Sequence, residues 1–324
     1  MIVFNLSKNA STCIKGLSCL LIILHHWFMQ LQGAGYHNIF VGLISVRGGV
    51  TGVAVFFFLS SYGLTRSQMN HKDSLLAFVK KRIAKLLIPL VLTNIAWLAV
   101  AYHGEGSIDL TARVLNIYDL PDPVTWFCNV IIFCYCFFYV SFSVKTVWLK
   151  ILCSWSLMVA FACVLTAIFP ERPFYVHSLI AFPIGQMVAL CQSRMSIWKL
   201  VLLILLVSIV TLGMVSIFMT DYWNRIFGNL FSCGVILCLM IAVSLLNAND
   251  RIKRFIPLSL KSMVLFMGTY SYEIYLCHNK YLFLIFLIGR YLWYPIVFLT
   301  VIIPSAIGLS VTCKSIVQKC RLLS

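Results

Sequence analysis

The sequence predicts an all-α, polytopic membrane protein of about ten transmembrane helices with both termini in the cytoplasm. Three observations lead there. Hydrophobic residues make up 61% of the 324 and charged residues 10%, with a mean hydropathy of +0.97, whereas a water-soluble domain carries about 25% charged residues. Ten apolar runs reach the roughly 20 residues that a helix needs to cross the hydrocarbon core. The segments between those runs alternate in basic content, as polytopic proteins do when they orient themselves in a membrane.

The runs lie at about 11–31, 46–65, 84–102, 124–144, 147–169, 174–191, 197–219, 226–247, 263–288 and 291–313. The first follows Lys8 and resembles a signal peptide in position. It contains Lys15 and the pair His25-His26, however, and no small-residue cleavage site follows, so it reads as a helix of the folded chain.

With the N-terminus inside, the inner segments hold Lys8; Arg66, Lys72, Lys80, Lys81, Arg82 and Lys85; Lys145 and Lys150; Arg194 and Lys199; Arg251, Lys253, Arg254 and Lys261; and Lys314, Lys319 and Arg321. The outer segments hold Arg47, Arg113, Arg172, Arg225 and Arg290, so eighteen basic residues face five. Six of the nine acids (Glu105, Asp109, Asp119, Asp122, Glu171 and Asp221) fall outside. An even number of spans satisfies this alternation at every loop. The longest connection is 103–123 and no linker or repeat is evident, so residues 1–324 read as one transmembrane domain with no attached soluble domain.

The net charge of +16 raises nucleic acid as a partner, but the basic residues fall in short clusters between spans and form no single stripe. The lipid bilayer is the partner this pattern implies. Thirteen cysteines, among them Cys134, Cys136, Cys153, Cys163, Cys233 and Cys238, lie almost wholly inside apolar runs. They form no CxxC pair and none sits in an expected outer loop. They read as small buried hydrophobes and not as a disulfide or metal framework.

Charged groups in hydrocarbon cost about 2.5–3.5 kcal/mol each on insertion scales, which makes a short list of residues stand out. Lys15, His25 and His26 lie in the first run, and Glu273, His278 and Lys280 in the ninth. Lys15 and His26 are eleven residues apart; at 100° per residue they share a helix face, separated axially by about 16 Å. Lys15 then sits near the inner surface and His26 in the outer half, with His25 turned about 80° away. His278 comes at a depth similar to that of His26. Each has a plain alternative: Lys15 snorkels to headgroups, and the histidines and Glu273 serve helix-to-helix hydrogen bonds. Paired catalytic carboxylates are excluded, because Glu273 is the one acid well inside a span.

The most basic stretch is KKRIAKLLIP at 80–89. Arg82 and Lys85 share a helix face there and form either a phosphate clamp or a positive-inside anchor. Small residues such as Gly48 and Gly52 allow close helix contact.

These segments, taken in order, resemble acyltransferase family 3, integral membrane proteins that acylate sugars of bacterial surface polysaccharides. KGLSCLLIILHHW, from Lys15 to Trp27, matches the family's motif of a basic residue, ten residues and a histidine. GVAVFFFLSSYGL at 52–64 is similar to a run ending Phe-Phe-Leu-Ser-Gly-Tyr, with Ser61 in place of the glycine. RIAKLLIP resembles an Arg-x-x-Arg segment before a proline; Lys85 replaces the second arginine, which keeps the charge and loses the bidentate fork. WFCNVIIFCYCFFY from Trp126, HSLIAFPIGQMVAL from His177 and GTYSYEIYLCH at 268–278 continue the likeness to about residue 290.

The resemblance implies a multi-pass acyltransferase of the bacterial inner membrane. Its donor is cytoplasmic acyl-CoA, acetyl-CoA by default, which is a substrate and not a resident cofactor; no metal is expected. Its acceptor is a hydroxyl of a cell-surface or lipid-linked carbohydrate. On this reading His26, Lys15, Glu273 and His278 are the catalytic set, and Arg66, Lys81, Arg82 and Lys85 meet the CoA phosphates. Neutral His26 takes the sugar hydroxyl's proton, and Tyr272, Tyr275, Ser60 or Ser61 supplies the oxyanion donor; transfer in one step is preferred to an acyl-histidine route. The rival reading is a proton-coupled exporter or flippase, since membrane histidines and a glutamate also build proton relays. A non-catalytic membrane scaffold is a second rival, and it needs neither His26 nor Arg82.

Overall fold

A computed structural model describes residues 4–102, 126–218, 223–248 and 257–322, and all regular structure among these residues is helical. Helices α1 (Lys8–Gly33), α2 (Ile39–Asn70), α3 (Leu75–Arg82), α4 (Ile88–Tyr102), α5 (Trp126–Ser143), α6 (Val147–Ile168) and α7 (Ala181–Cys191) come first. They are followed by α8 (Ile197–Phe218), α9 (Trp223–Ala248), α10 (Leu258–Thr269), α11 (Ser271–Leu287), α12 (Tyr294–Val297) and α13 (Ile303–Leu322). A bilayer offers backbone groups no water, so apolar segments satisfy them internally as helices.

Among the described residues, six helical stretches are long and apolar enough to cross a membrane: Lys8–Gly33, Ile39–Asn70, Trp126–Ser143, Val147–Ile168, Ile226–Asn247 and Tyr291–Lys319. They coincide with six of the ten expected runs. The other four are helical too, three of them shortened or interrupted. The run at 84–102 opens with a π-turn over Ile83–Leu87 before α4 begins. That at 174–191 is α-helical only over the eleven residues Ala181–Cys191. The run at 197–219 is one helix, α8, of 22 residues, and the run at 263–288 is divided at Tyr270 between α10 and α11. The connection 103–123, with Glu105, Asp109, Arg113, Asp119 and Asp122, lies outside the described residues, as do Asp221, Arg251, Lys253 and Arg254.

The chain divides into two compact units. The first comprises Met1–Ser18, Val50–Lys72 and Ile131–Phe266. Its core is α7, every residue of which is buried, with α6, α8 and α9 packed on it. Gly185 makes the approach of α7 to α2 possible, because a Cβ there would meet the Phe58 carbonyl oxygen at 2.4 Å. Gln186, itself buried, is held by Ser141 at 3.1–3.2 Å. The irregular backbone leading into α7 is met by side chains, as buried polar groups require. Asn229 Oδ1 accepts from Ile180 N at 3.3 Å, Ser232 donates to the His177 carbonyl at 2.9 Å, and Ser178 donates to the Val50 carbonyl at 3.0 Å.

The second unit comprises Cys19–Gly49, Asp73–Val130 and Met267–Ser324. Here α11 packs on α4 and α13. Tyr281 pairs with Ser305 at 2.9 Å and Glu273 with Ser310, so α11 and α13 run antiparallel. Pro89 and Pro304 each occupy the second position of a helix, α4 and α13, and each follows a π-turn, Ile83–Leu87 and Phe298–Ile302. Proline lacks an N–H and its ring pushes away the carbonyl four residues back; a wider turn relieves that clash. Tyr272 donates to the Leu86 carbonyl within the first π-turn at 2.9 Å. Gly289, at φ +65, closes α11, with Arg290 N donating to the Ile285 carbonyl at 3.1 Å.

Candidate active site

Within the second unit α1 and α11 bring two histidines together. The His26 and His278 rings lie 5.3 Å apart between centroids and are tilted by 36°. These helices come from opposite ends of the chain, which the sequence related only by counting depth along each run. His278 is fully buried, and the Tyr275 ring sits 5.5 Å from it.

The hydrogen bonds of His278 fix its chemistry. Its Nδ1 is 2.6 Å from the Tyr275 carbonyl oxygen. A carbonyl only accepts, so Nδ1 carries the proton, and in the neutral ring Nε2 is then the acceptor nitrogen. Tyr294 donates to the His278 carbonyl at 3.4 Å. On α1, Trp27 Nε1 donates to the Tyr291 carbonyl at 3.0 Å and its ring lies 5.9 Å from Tyr294. Cys19 Sγ donates to the Ser271 carbonyl at 3.3 Å, at the start of α11. Both histidines are therefore carried on helices that side chains tie together above and below them.

Four further residues of the sequence set lie in this unit but play separate parts. Glu273 accepts a hydrogen bond from Ser310 and faces the Lys314 ammonium, both on α13 one turn apart; its described partners make a helix-to-helix link. Lys81 is 2.6 Å from Asp73 on the exposed surface of α3. The Arg82 guanidinium lies 5.2 Å over the Phe78 ring, and Lys85 is exposed within the π-turn. Tyr272, weighed as an oxyanion donor, has its hydroxyl on the Leu86 carbonyl.

Lys15 and Arg66 belong to the first unit. Lys15 is half-buried and lies in the same uninterrupted helix α1 as His26. Arg66 donates to the Gln192 amide oxygen at 3.2 Å, while that amide's nitrogen donates to the Tyr62 hydroxyl at 2.8 Å and to the Phe4 carbonyl at 3.2 Å. Ser61 is fully buried in this unit.

Several residues of this unit have surroundings that the sequence did not show. Lys280 is buried, with 6% of its surface exposed, where the run's composition showed only a charge. Trp27, Tyr291 and Tyr294 carried no ionisable signal. His25 donates from Nδ1 to the Ile44 carbonyl at 3.0 Å; the signal that could have pointed to this bond is the adjacent pair Gly48-Gly49.

A family model described as an acyltransferase domain matches residues 9–315. No curated protein and no solved structure matches the chain.

Proposed function

Since the chain belongs to acyltransferase family 3 and carries helices apolar enough for a membrane, we propose that it moves an acyl group from cytoplasmic acyl-CoA to a hydroxyl of a cell-surface or lipid-linked carbohydrate. Acetyl is the default group and acetyl-CoA the donor. The observation that carries this reading is the His26–His278 pair, whose rings meet at 5.3 Å.

His26, neutral, accepts the proton of the sugar hydroxyl as its oxygen attacks the thioester carbonyl. The tetrahedral intermediate then collapses, the C–S bond breaks, and the imidazolium returns the proton to the departing thiolate. The products are the sugar ester and CoA thiol, with no net proton change. His278 offers Nε2 as an acceptor beside His26 and keeps that ring oriented. Lys15, on the face of α1 shared with His26, lines the donor's approach. Arg82 and Lys85 meet its phosphates, with Lys81, held by Asp73, adding charge beside them; Arg66, held by Gln192 in the first unit, is a further candidate contact for the donor. Glu273 secures α11 against α13.

The test uses membranes containing the full-length chain, radiolabelled acetyl-CoA, and mass spectrometry of surface glycans. Wild type is expected to release CoA thiol and add acetyl mass to the glycan, and His26→Ala to do neither. Equal transfer by His26→Ala would overturn the role of His26. Acetyl-CoA left untouched by wild type would overturn the reading itself.

A further inference from the structure

We infer that His25 is a positioning residue that sets the rotation of α1 and thereby aims His26; the inference rests on the acyl-transfer reading above. Three observations, all within the second unit, carry it. First, His25 Nδ1 donates to the Ile44 carbonyl of α2 at 3.0 Å. Second, the ring packs against Gly49: a Cβ added there would meet His25 Cδ2 at 2.6 Å and Nε2 at 2.7 Å. Third, at Gly48 a Cβ would meet His25 Cβ at 3.1 Å and the Leu21 backbone carbonyl at 3.3 Å.

Leu21 and His25 are one turn apart on α1, as Ile44 and Gly48 are on α2. The two helices thus approach at Gly48 and Gly49 of α2, and the gap is filled by one imidazole hydrogen-bonded to the α2 main chain. Such close approach through glycine is how membrane helices gain packing contacts that lipid cannot supply.

The consequence falls on the next residue. His26 projects about 100° around the helix from His25, and its ring meets His25 at 4.9 Å and His278 at 5.3 Å. Side-chain tips lie about 5.5 Å from a helix axis, so a rotation of α1 by about 20° sweeps the His26 ring by about 2 Å. Misplacement by about 1 Å costs on the order of 10²-fold in rate. The clamp at His25 removes that freedom.

The experiment is a double-mutant cycle on the full-length chain, with kcat and KM for radiolabelled acetyl-CoA measured in membranes. His25→Ala is expected to lower kcat by about 10–100-fold with KM changed less than about threefold, because the donor's phosphates bind elsewhere. His25→Asn retains an N–H for the Ile44 carbonyl and is expected to recover about tenfold of that loss. Gly49→Ala, which expels the ring, is expected to match His25→Ala, and the double variant to be no worse than either single one.

Additive losses, or Asn performing no better than Ala, overturn the inference. Thermal unfolding of the detergent-purified variants reads the same coupling without any chemistry. Non-additivity there with no acetyl transfer by wild type would sink the acyl-transfer reading and leave the clamp standing; additivity there with normal wild-type transfer would do the reverse.

Discussion

Replacing His278 separates what its two nitrogens do. His278→Ala deletes a fully buried ring and the bond from Nδ1 to the Tyr275 carbonyl at 2.6 Å. Truncating a large buried side chain costs roughly 2–5 kcal/mol, and the lost hydrogen bond accounts for about 0.5–1.5 kcal/mol. The Tyr275 carbonyl sits inside α11, where the helix ladder also reaches it, so no orphaned acceptor adds to the sum. His278→Asn keeps an N–H close to the position of Nδ1 and lacks an acceptor at Nε2. It is expected to recover the hydrogen-bond part of the stability and none of the turnover. His278→Gln places its amide oxygen nearer Nε2 and is expected to recover part of the turnover. Stability is read by thermal unfolding in detergent, and turnover by label transfer from acetyl-CoA. If Nε2 takes part, Ala and Asn both lose about 10²-fold or more, equivalent to about 2.7 kcal/mol. Full turnover by His278→Asn would refute the reasoning, because the ring would then matter only as filling.

Other expectations follow from contacts already described. Arg82→Ala is expected to raise KM for acetyl-CoA by about tenfold, the worth of a charge-assisted hydrogen bond of about 1.5 kcal/mol, with kcat unchanged; Lys81→Ala, whose exposed charge is engaged by Asp73, is expected to change KM by less than about threefold. Gly185→Ala sets a methyl 2.4 Å from a backbone oxygen that cannot swing aside, so it is expected to destabilise by about 1–3 kcal/mol or more, seen as early aggregation on heating in detergent. Lowering the pH is expected to slow transfer in wild type, since a protonated imidazole cannot accept the hydroxyl proton; a rate that rises on acidification would contradict a histidine base.

Much of the fold was legible because a bilayer imposes a length and an apolar composition on whatever crosses it. Six expected runs fall on helices that meet both demands. Three of the others expose the weakness of the signal: a window of apolar residues cannot tell lipid burial from protein burial. The run ending at Cys191 is apolar because α7 is enclosed by its neighbours. The runs at 84–102 and 263–288 hide a π-turn before Pro89 and a break at Tyr270, both local backbone events. At the site, counting along the helices foresaw a common depth for His26 and His278. It could not foresee the partners that lie on main chain, such as the Ile44 carbonyl for His25 or the Leu86 carbonyl for Tyr272. His25 therefore stood only as an intramembrane histidine turned away from the Lys15–His26 face, although Gly48 and Gly49 stood in the sequence as the gap made for it.

The enclosure of α7 bears on how the chain is assembled. Eleven residues give about 16 Å of helix, roughly half the hydrocarbon thickness, and all eleven side chains are buried. Such a segment cannot lodge in the bilayer by itself during synthesis. Its seat is lined by α6, which precedes it, and by α8 and α9, which are made later. Biogenesis must then carry α7 in with its neighbours as a group, and a lesion in α8 or α9 would surface first as a failure to retain α7.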